Sequence, residues 1–232
     1  RQRQMCIRDR VKDGYLVPSK APNLPIAPVQ YTQQYQDQVL NALRLYFGQV
    51  DNFSSSLSNH TGGRYLEFPY IAAQGTVSQY ASANNTPIIV AWNQLDAGNA
   101  FTLNTDNTAT AQQSGYYKID FSLQFANTAN TQEYVWVWLK VNGVNVAGSG
   151  SKFSVSARKS VGNDSYLVAY SSVTFRLNAG DSVGLWWATS LAYKVSPATD
   201  GIYMEAYTAS TSPFSMPSVP AAIGSIVFVS SL

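Results

Sequence analysis

Hydrophobic and polar residues alternate along much of the second half of this chain. From Tyr117 to Phe125 every odd-numbered residue is apolar and every even-numbered residue is polar. A period of two is typical of a strand with one face on a core and the other toward water. The four rows of this kind are Tyr117, Ile119, Phe121, Leu123 and Phe125; Val135, Val137, Leu139 and Val141; Leu167, Ala169, Ser171, Val173, Phe175 and Leu177; and Val183, Leu185 and Trp187.

Turn residues separate these rows. Asn142-Gly143 ends the second row and Ala179-Gly180-Asp181 ends the third, and both are typical of tight turns between antiparallel strands. Earlier strands are expected around residues 65–71, 86–92 and 99–103. A last apolar run, Ile223 to Val229, is expected to pair inside a sheet, since an exposed apolar edge would aggregate. The pattern predicts a mainly β, antiparallel domain.

The chain before residue 31 differs from the rest. Residues 1–10 resemble a translated sequencing adapter, and residues 1–13 are expected to be a non-native or disordered lead. Residues 14–30 contain Pro18, Pro22, Pro25 and Pro28, which favour an extended, polyproline-like arm. Its apolar residues favour a docking peptide over a plain linker, and both interpretations remain open.

Residues 31–58 have the spacing of an amphipathic helix. Apolar residues recur at intervals of four and three, which is the seam of a coiled coil. The seam consists of Val39, Leu43, Tyr46, Val50, Phe53 and Leu57. A helix this short gains little stability alone, so we favour a trimerising helix over one that lies on its own domain.

Composition limits the classes of function. The chain is 45% hydrophobic but 12% charged, about half the usual charge. This composition indicates that much apolar surface is buried, and a subunit interface is one place where it can be buried. The whole chain has a net charge of +2, and the first ten residues alone have a net charge of +3, so the remaining residues have a net charge of −1. No basic patch supports nucleic-acid binding, and no apolar run approaches the ~20 residues needed for membrane insertion.

Residues with catalytic or metal-binding chemistry are sparse. His60 is the only histidine and Cys6 the only cysteine, so one chain offers no zinc site. A Ser-His-Asp triad would have to use His60, but this residue stands in the polar junction Asn59-His60-Thr61-Gly62, where we expect a solvated linker residue. Asp106 and Asp164 are isolated, whereas a calcium site needs clustered carboxylates. We therefore predict no catalytic residues, no metal site and no cofactor.

Some aromatic residues break the polar-outward rule. Trp136 and Trp138 lie opposite the second apolar row, Trp186 lies opposite Trp187, and Tyr193 and Tyr203 add to the group. Such strands are apolar on both faces, which is unusual for a one-sided sheet. A subunit interface, cover by the chain's own loops and an aromatic platform for sugars are the three interpretations, in that order.

The order of these segments resembles a known family. The segments GYYKIDFSLQF, VWVWLKVNGVNVAGS, SSVTFRLNAGDSVGLWW and IGSIVFVSSL follow one another as in the jelly-roll heads of the complement and tumour-necrosis-factor type. They are most similar to the version in virion structural proteins of marine tailed bacteriophages. The leading segment YLVPSKAPNLPIAPVQYTQQYQDQVLNALRLYFGQVDNF resembles the amino-terminal part of such proteins.

The resemblance implies a fold and a role. It implies an antiparallel jelly-roll β-sandwich head over residues 64–232, a homotrimer, and no catalytic residues. The expected function is that of a non-enzymatic fibre-like or decoration protein on the phage particle surface, with residues 14–30 contacting other virion proteins. The alternative is a host-adhesion module of a phage tail that binds a surface glycan or receptor.

Overall fold

The computed structural model describes residues 21–30, 32–58, 68–211 and 214–232. The chain divides into two units between residues 67 and 68. In the first unit, the described residues include the helix α1 (Gln33–Ser58). Its bounds agree with the predicted helix, and the Thr32 hydroxyl accepts a hydrogen bond from the Tyr35 amide at 3.3 Å as an N-cap.

The described residues of the second unit, 68–211 and 214–232, form sixteen strands, and the predicted antiparallel jelly-roll β-sandwich is confirmed. The strands are β1 (Tyr70–Gly75), β2 (Gln79–Tyr80), β3 (Ile88–Ile89), β4 (Gln94–Asn99), β5 (Phe101–Leu103), β6 (Ala109–Ala111), β7 (Gly115–Asn127), β8 (Glu133–Val141), β9 (Val144–Asn145), β10 (Ser151–Val155), β11 (Ser165–Leu177), β12 (Ser182–Thr189), β13 (Lys194–Val195), β14 (Ala198–Thr199), β15 (Ile202–Met204) and β16 (Ala222–Ser230).

Two seven-stranded sheets form the layers of the sandwich. In sheet A the order is β2-β15-β7-β16-β1-β4, and β11 pairs with β7 along the whole length of both strands. In sheet B the order is β10-β8-β12-β6-β5, with β3 on β12 and β9 on β8. The last strand, β16, lies between β1 and β7, as expected for an apolar terminal strand.

The four apolar rows meet between the sheets. The row of β7 is buried throughout, and Trp187 of β12 packs on Phe125 with ring centroids 5.4 Å apart. Tyr117 makes edge-to-face contacts with Phe101 and Phe228, and its hydroxyl donates to the Gln113 carbonyl at 2.8 Å. Each large side chain buried in this way contributes about 1.5–3 kcal/mol.

The predicted turns take the expected form. Asn142 and Gly143 both have positive φ, at 50° and 79°, which is the geometry of a tight hairpin turn between β8 and β9. In the turn before β12, the Asp181 carboxylate accepts from the Asn178 amide at 2.7 Å and from the Asn142 side chain at 2.8 Å. These hydrogen bonds hold the pKa of Asp181 below its usual value.

Loops meet at the end of the sandwich opposite Phe68, where the chain enters it. There Asn127, at the end of β7, is completely buried. Its side-chain amide donates to the Thr131 and Ser156 carbonyls at 2.9 and 2.8 Å, and its oxygen accepts from the Ala129 amide at 2.9 Å. We call this the distal end. A bidentate ion pair joins Arg158 to Asp200 with both N–O distances 3.0 Å.

Candidate functional site

The outer face of sheet A is rich in exposed apolar side chains. Strand register places the outward residues of β1, β16, β7 and β11 side by side, for example Gln74, Ile223, Ser122 and Tyr170 in one row. We call this surface face A. Its exposed large side chains are Tyr70, Tyr116, Tyr166, Val168, Tyr170, Ile223, Val227 and Val229.

Charge is nearly absent from the centre of face A. Lys118 and Asp120 are paired at 3.1 Å, and the Tyr170 hydroxyl donates to the same carboxylate at 3.2 Å. Although burial opposes ionisation, hydrogen bonds from Lys118, Ser172 and Tyr170 keep the pKa of Asp120 below its usual value. The centre of face A therefore combines exposed aromatic and aliphatic side chains with one paired lysine and aspartate, a composition that suits a protein–protein interaction surface.

A tyrosine cluster lies beside face A toward the distal end. Tyr80, Tyr193 and Tyr203 pack with ring centroids between 4.9 and 5.8 Å apart. The Glu205 carboxylate accepts hydrogen bonds from the hydroxyls of Tyr203 and Tyr207. Burial raises the pKa of both phenols, and the hydrogen bonds to Glu205 raise it further.

Alkaline pH is expected to weaken the head through this cluster. Above about pH 10, where free tyrosine ionises, the unfolded chain loses protons that Tyr203 and Tyr207 still hold in the folded chain. The free energy of unfolding should therefore be constant up to that pH and fall above it. Urea unfolding between pH 8 and 11 measures this fall, and a double change of Tyr203→Phe and Tyr207→Phe should reduce it. Tyr134→Phe on β8, outside the tyrosine cluster and outside face A, is the control and should leave the fall in the free energy of unfolding unchanged. An equal fall in both variants would show that the cluster is not its cause.

The outer face of sheet B carries a different surface. Tyr134, Trp136, Trp138 and Lys140 of β8 point outward, beside Lys152 of β10 and Trp186 of β12, and Trp138 pairs directly with Trp186. We call these six residues the Trp–Lys strip. The Lys140 ammonium lies 3.9 Å from the ring centroid of Trp186, and that of Lys152 lies 3.9 Å from the ring centroid of Tyr134.

The predicted aromatic residues thus fall into two separate groups. Trp136, Trp138 and Trp186 are half-buried neighbours on the Trp–Lys strip, whereas Tyr193 and Tyr203 belong to the tyrosine cluster. Sequence reasoning missed Tyr166, Val168 and Tyr170 of face A. Their signal was present, since they give β11 apolar residues on both faces, as Trp136 and Trp138 do for β8.

The helix seam keeps its predicted spacing on one side of α1. Val39, Leu43, Tyr46, Val50 and Phe53 are half-buried, while the flanking Leu40 and Phe47 are exposed. The side chain of Leu57 lies outside the described residues. Assembly of three seams stays a prediction.

Several acidic residues of the described part make hydrogen bonds with neighbouring side chains or backbone groups. Asp106 accepts from Thr108, and Glu133 accepts from Thr131 and Ser190. In the described ranges no three His, Cys, Asp or Glu residues cluster as metal ligands. Among the described helices none is long and apolar enough to cross a membrane. Cys6 and His60, the only cysteine and the only histidine of the sequence, lie outside the described residues.

Comparison with known proteins gives likeness in fold alone. No protein-family profile and no curated protein sequence matches the chain. Among solved structures, Eiger TNF from S. frugiperda is similar with a TM-score of 0.45 and 14% identity, over 72% of this chain and 96% of that one. The globular domain of zebrafish complement 1qA protein has a TM-score of 0.39 and 14% identity, over 72% and 100%. At such scores the fold assignment rests on the strand order and register described above.

Proposed function

We propose that this chain is a non-enzymatic structural protein of a tailed-phage virion, a fibre-like or decoration component in which three copies display jelly-roll heads. The observation that carries the proposal is face A. Its exposed tyrosines, valines and isoleucine form one surface across four strands, and its central charges are already paired. A contiguous group of exposed apolar side chains marks an interaction site, and the partners in this proposal are two further copies of the same chain.

The helix supports the same assembly. Seam residues such as Leu43 and Val50 follow one another along a single side of α1, and a short helix becomes stable when partners bury that side. Three-way burial contributes about 1.5–3 kcal/mol for each large seam side chain. Helix and head would then hold the same three chains together.

The arm supports attachment to a larger particle. Residues 21–28 form no helix or strand, and Leu24, Ile26 and Val29 are exposed. An extended segment with exposed aliphatic side chains fits a docking peptide that orders on a partner surface. The partner in this proposal is another virion protein, which the arm of residues 14–30 contacts. The phage assignment itself rests on sequence resemblance: the arm, the helix and the head follow one another along the chain as they do in virion proteins.

Mass spectrometry of purified particles tests the location. Virus-sized particles from a source that carries this sequence are purified by density-gradient centrifugation. They are then treated with nuclease and washed in buffer that contains no protease. We expect peptides from residues 68–232 to copurify with the particles and with recognised phage structural proteins. Recovery of these peptides from the soluble fraction alone would contradict the virion assignment.

Binding to a host surface is the second candidate function. The Trp–Lys strip favours it, because these rings and ammonium groups lie on sheet B and are separate from face A. A head that assembles through one sheet leaves the outer face of the other sheet open to a ligand. The candidate therefore complements the structural role.

A further inference from the structure

We propose that the Trp–Lys strip binds a carboxylate-bearing polysaccharide, such as a chain of uronic acid units. The inference deepens the host-binding candidate above and rests on it for its biological setting. It uses neither face A nor the helix seam. Binding can therefore be measured on the whole chain whatever its oligomeric state.

The strip carries positive charge without compensating acid. The outward positions of β8, β10 and β12 contain two lysines and no aspartate or glutamate. Within the described ranges the ion pairs are Lys118–Asp120 and Arg158–Asp200, neither of which includes Lys140 or Lys152. An anionic ligand is thus complementary to the charge of this surface.

The rings hold the two cations in place. A ring face attracts an ammonium group without accepting any of its three N–H donors in a conventional hydrogen bond. The ring of Trp186 therefore holds the ammonium group of Lys140 in place, and the ring of Tyr134 holds that of Lys152. The N–H donors of both ammonium groups remain available to a ligand. Carboxylate oxygens accept such donors in charge-assisted hydrogen bonds, which are about twice as strong as neutral ones.

The aromatic residues provide the surface for sugar rings. The indoles of Trp136 and Trp138 lie two residues apart on β8, and the indole N–H of Trp138 donates to the Asn145 side-chain oxygen at 2.9 Å. That contact leaves the Asn145 amide nitrogen, with its two donors, for a ligand hydroxyl. The negative face of an aromatic ring favours the weakly positive C–H face of a sugar.

The dimensions favour a chain of sugars over a single one. Trp136 and Lys140 are four residues apart along β8, which corresponds to about 13 Å. Lys152 lies on the neighbouring strand, opposite Trp136. A ligand that reaches both ammonium groups must therefore carry carboxylates on separate units.

Calorimetric titration with an oligogalacturonate tests the proposal. We expect the full chain to bind it, and we expect affinity to fall as salt is added. Lys140→Met and Lys152→Met keep the aliphatic stem on the ring but remove the charge. Each should weaken binding about tenfold, as expected for a lost charge-assisted hydrogen bond. Lys194→Met, an exposed lysine of β13 outside the strip, is the matched control and should bind like the wild type.

Two comparison ligands identify what is recognised. Neutral maltohexaose should bind at least tenfold more weakly than the oligogalacturonate, and so should polyglutamate, which has carboxylates but no sugar rings. No binding by the wild type, equal binding of polyglutamate, or equal weakening by Lys194→Met would each overturn the proposal. Light scattering on the same samples reports the oligomer separately, so a failed trimer and a failed ligand site give different results.

Discussion

Replacement of Asn127 by aspartate is expected to destabilise the head by about 3–5 kcal/mol at pH 7. The side-chain nitrogen donates to the carbonyls of Thr131 and Ser156, and the residue is completely buried. A carboxylate would place a negative oxygen against these carbonyls in the absence of water. Since domains are stable by about 5–15 kcal/mol in total, this one change removes a large part of the stability.

Urea unfolding of Asn127→Asp at pH 7 and near pH 4.5 measures the loss. Burial should raise the pKa of the new carboxyl group, so the folded variant takes up a proton more readily than the unfolded chain, and its deficit should shrink as the pH falls. Asn130→Asp, at an exposed position in the same loop, is the matched control and should change stability by less than about 0.5 kcal/mol. Similar unfolding midpoints for the two variants would show that Asn127 does not hold the distal loops.

Charges placed in face A are expected to dissociate the assembly and leave each head folded. Ile223 and Tyr170 lie in the same row of sheet A, on either side of Ser122. The double change Ile223→Asp and Tyr170→Asp would bury two unpaired carboxylates per subunit in the proposed interface, each at a cost of several kcal/mol. Both side chains are exposed in a single copy, so the fold of the monomer should tolerate them.

Sedimentation velocity and circular dichroism together check this expectation. The variant should sediment as a monomer while its spectrum keeps the β-sheet signature. Val144→Asp with Val161→Asp adds the same charge at exposed positions outside face A and should leave the assembly intact. If the face A variant kept the wild-type sedimentation coefficient, subunits would have to meet through another surface.

The long strands were predictable because burial of one strand face requires an apolar residue at every second position. Each apolar row of β7, β8, β11 and β12 faces the core as the alternation predicted. The early strands were predicted less well. Strand β4 was missed, since Gln94 to Gly98 are all exposed and show no alternation. Strand β4 exists because the edge of β1 offers it hydrogen bonds, and that edge is a property of the sheet.

The candidate site was predictable only in part, for a related reason. Trp136, Trp138 and Trp186 could be singled out because they stand where polar residues are expected. Their separation from Tyr193 and Tyr203, and the lysines placed over the rings, depend on strand register between distant segments. Asn127 gave no signal, because its partners become neighbours only when the loops after β7 and β10 meet.

The most direct test of the central claim is the mass of the full chain in solution. Multi-angle light scattering on the purified protein at micromolar concentration gives this mass without reference to shape. The assembly through face A and the helix seam predicts a single species with three times the chain mass of 25.3 kDa. A stable species with the mass of one chain across the concentration range would contradict it.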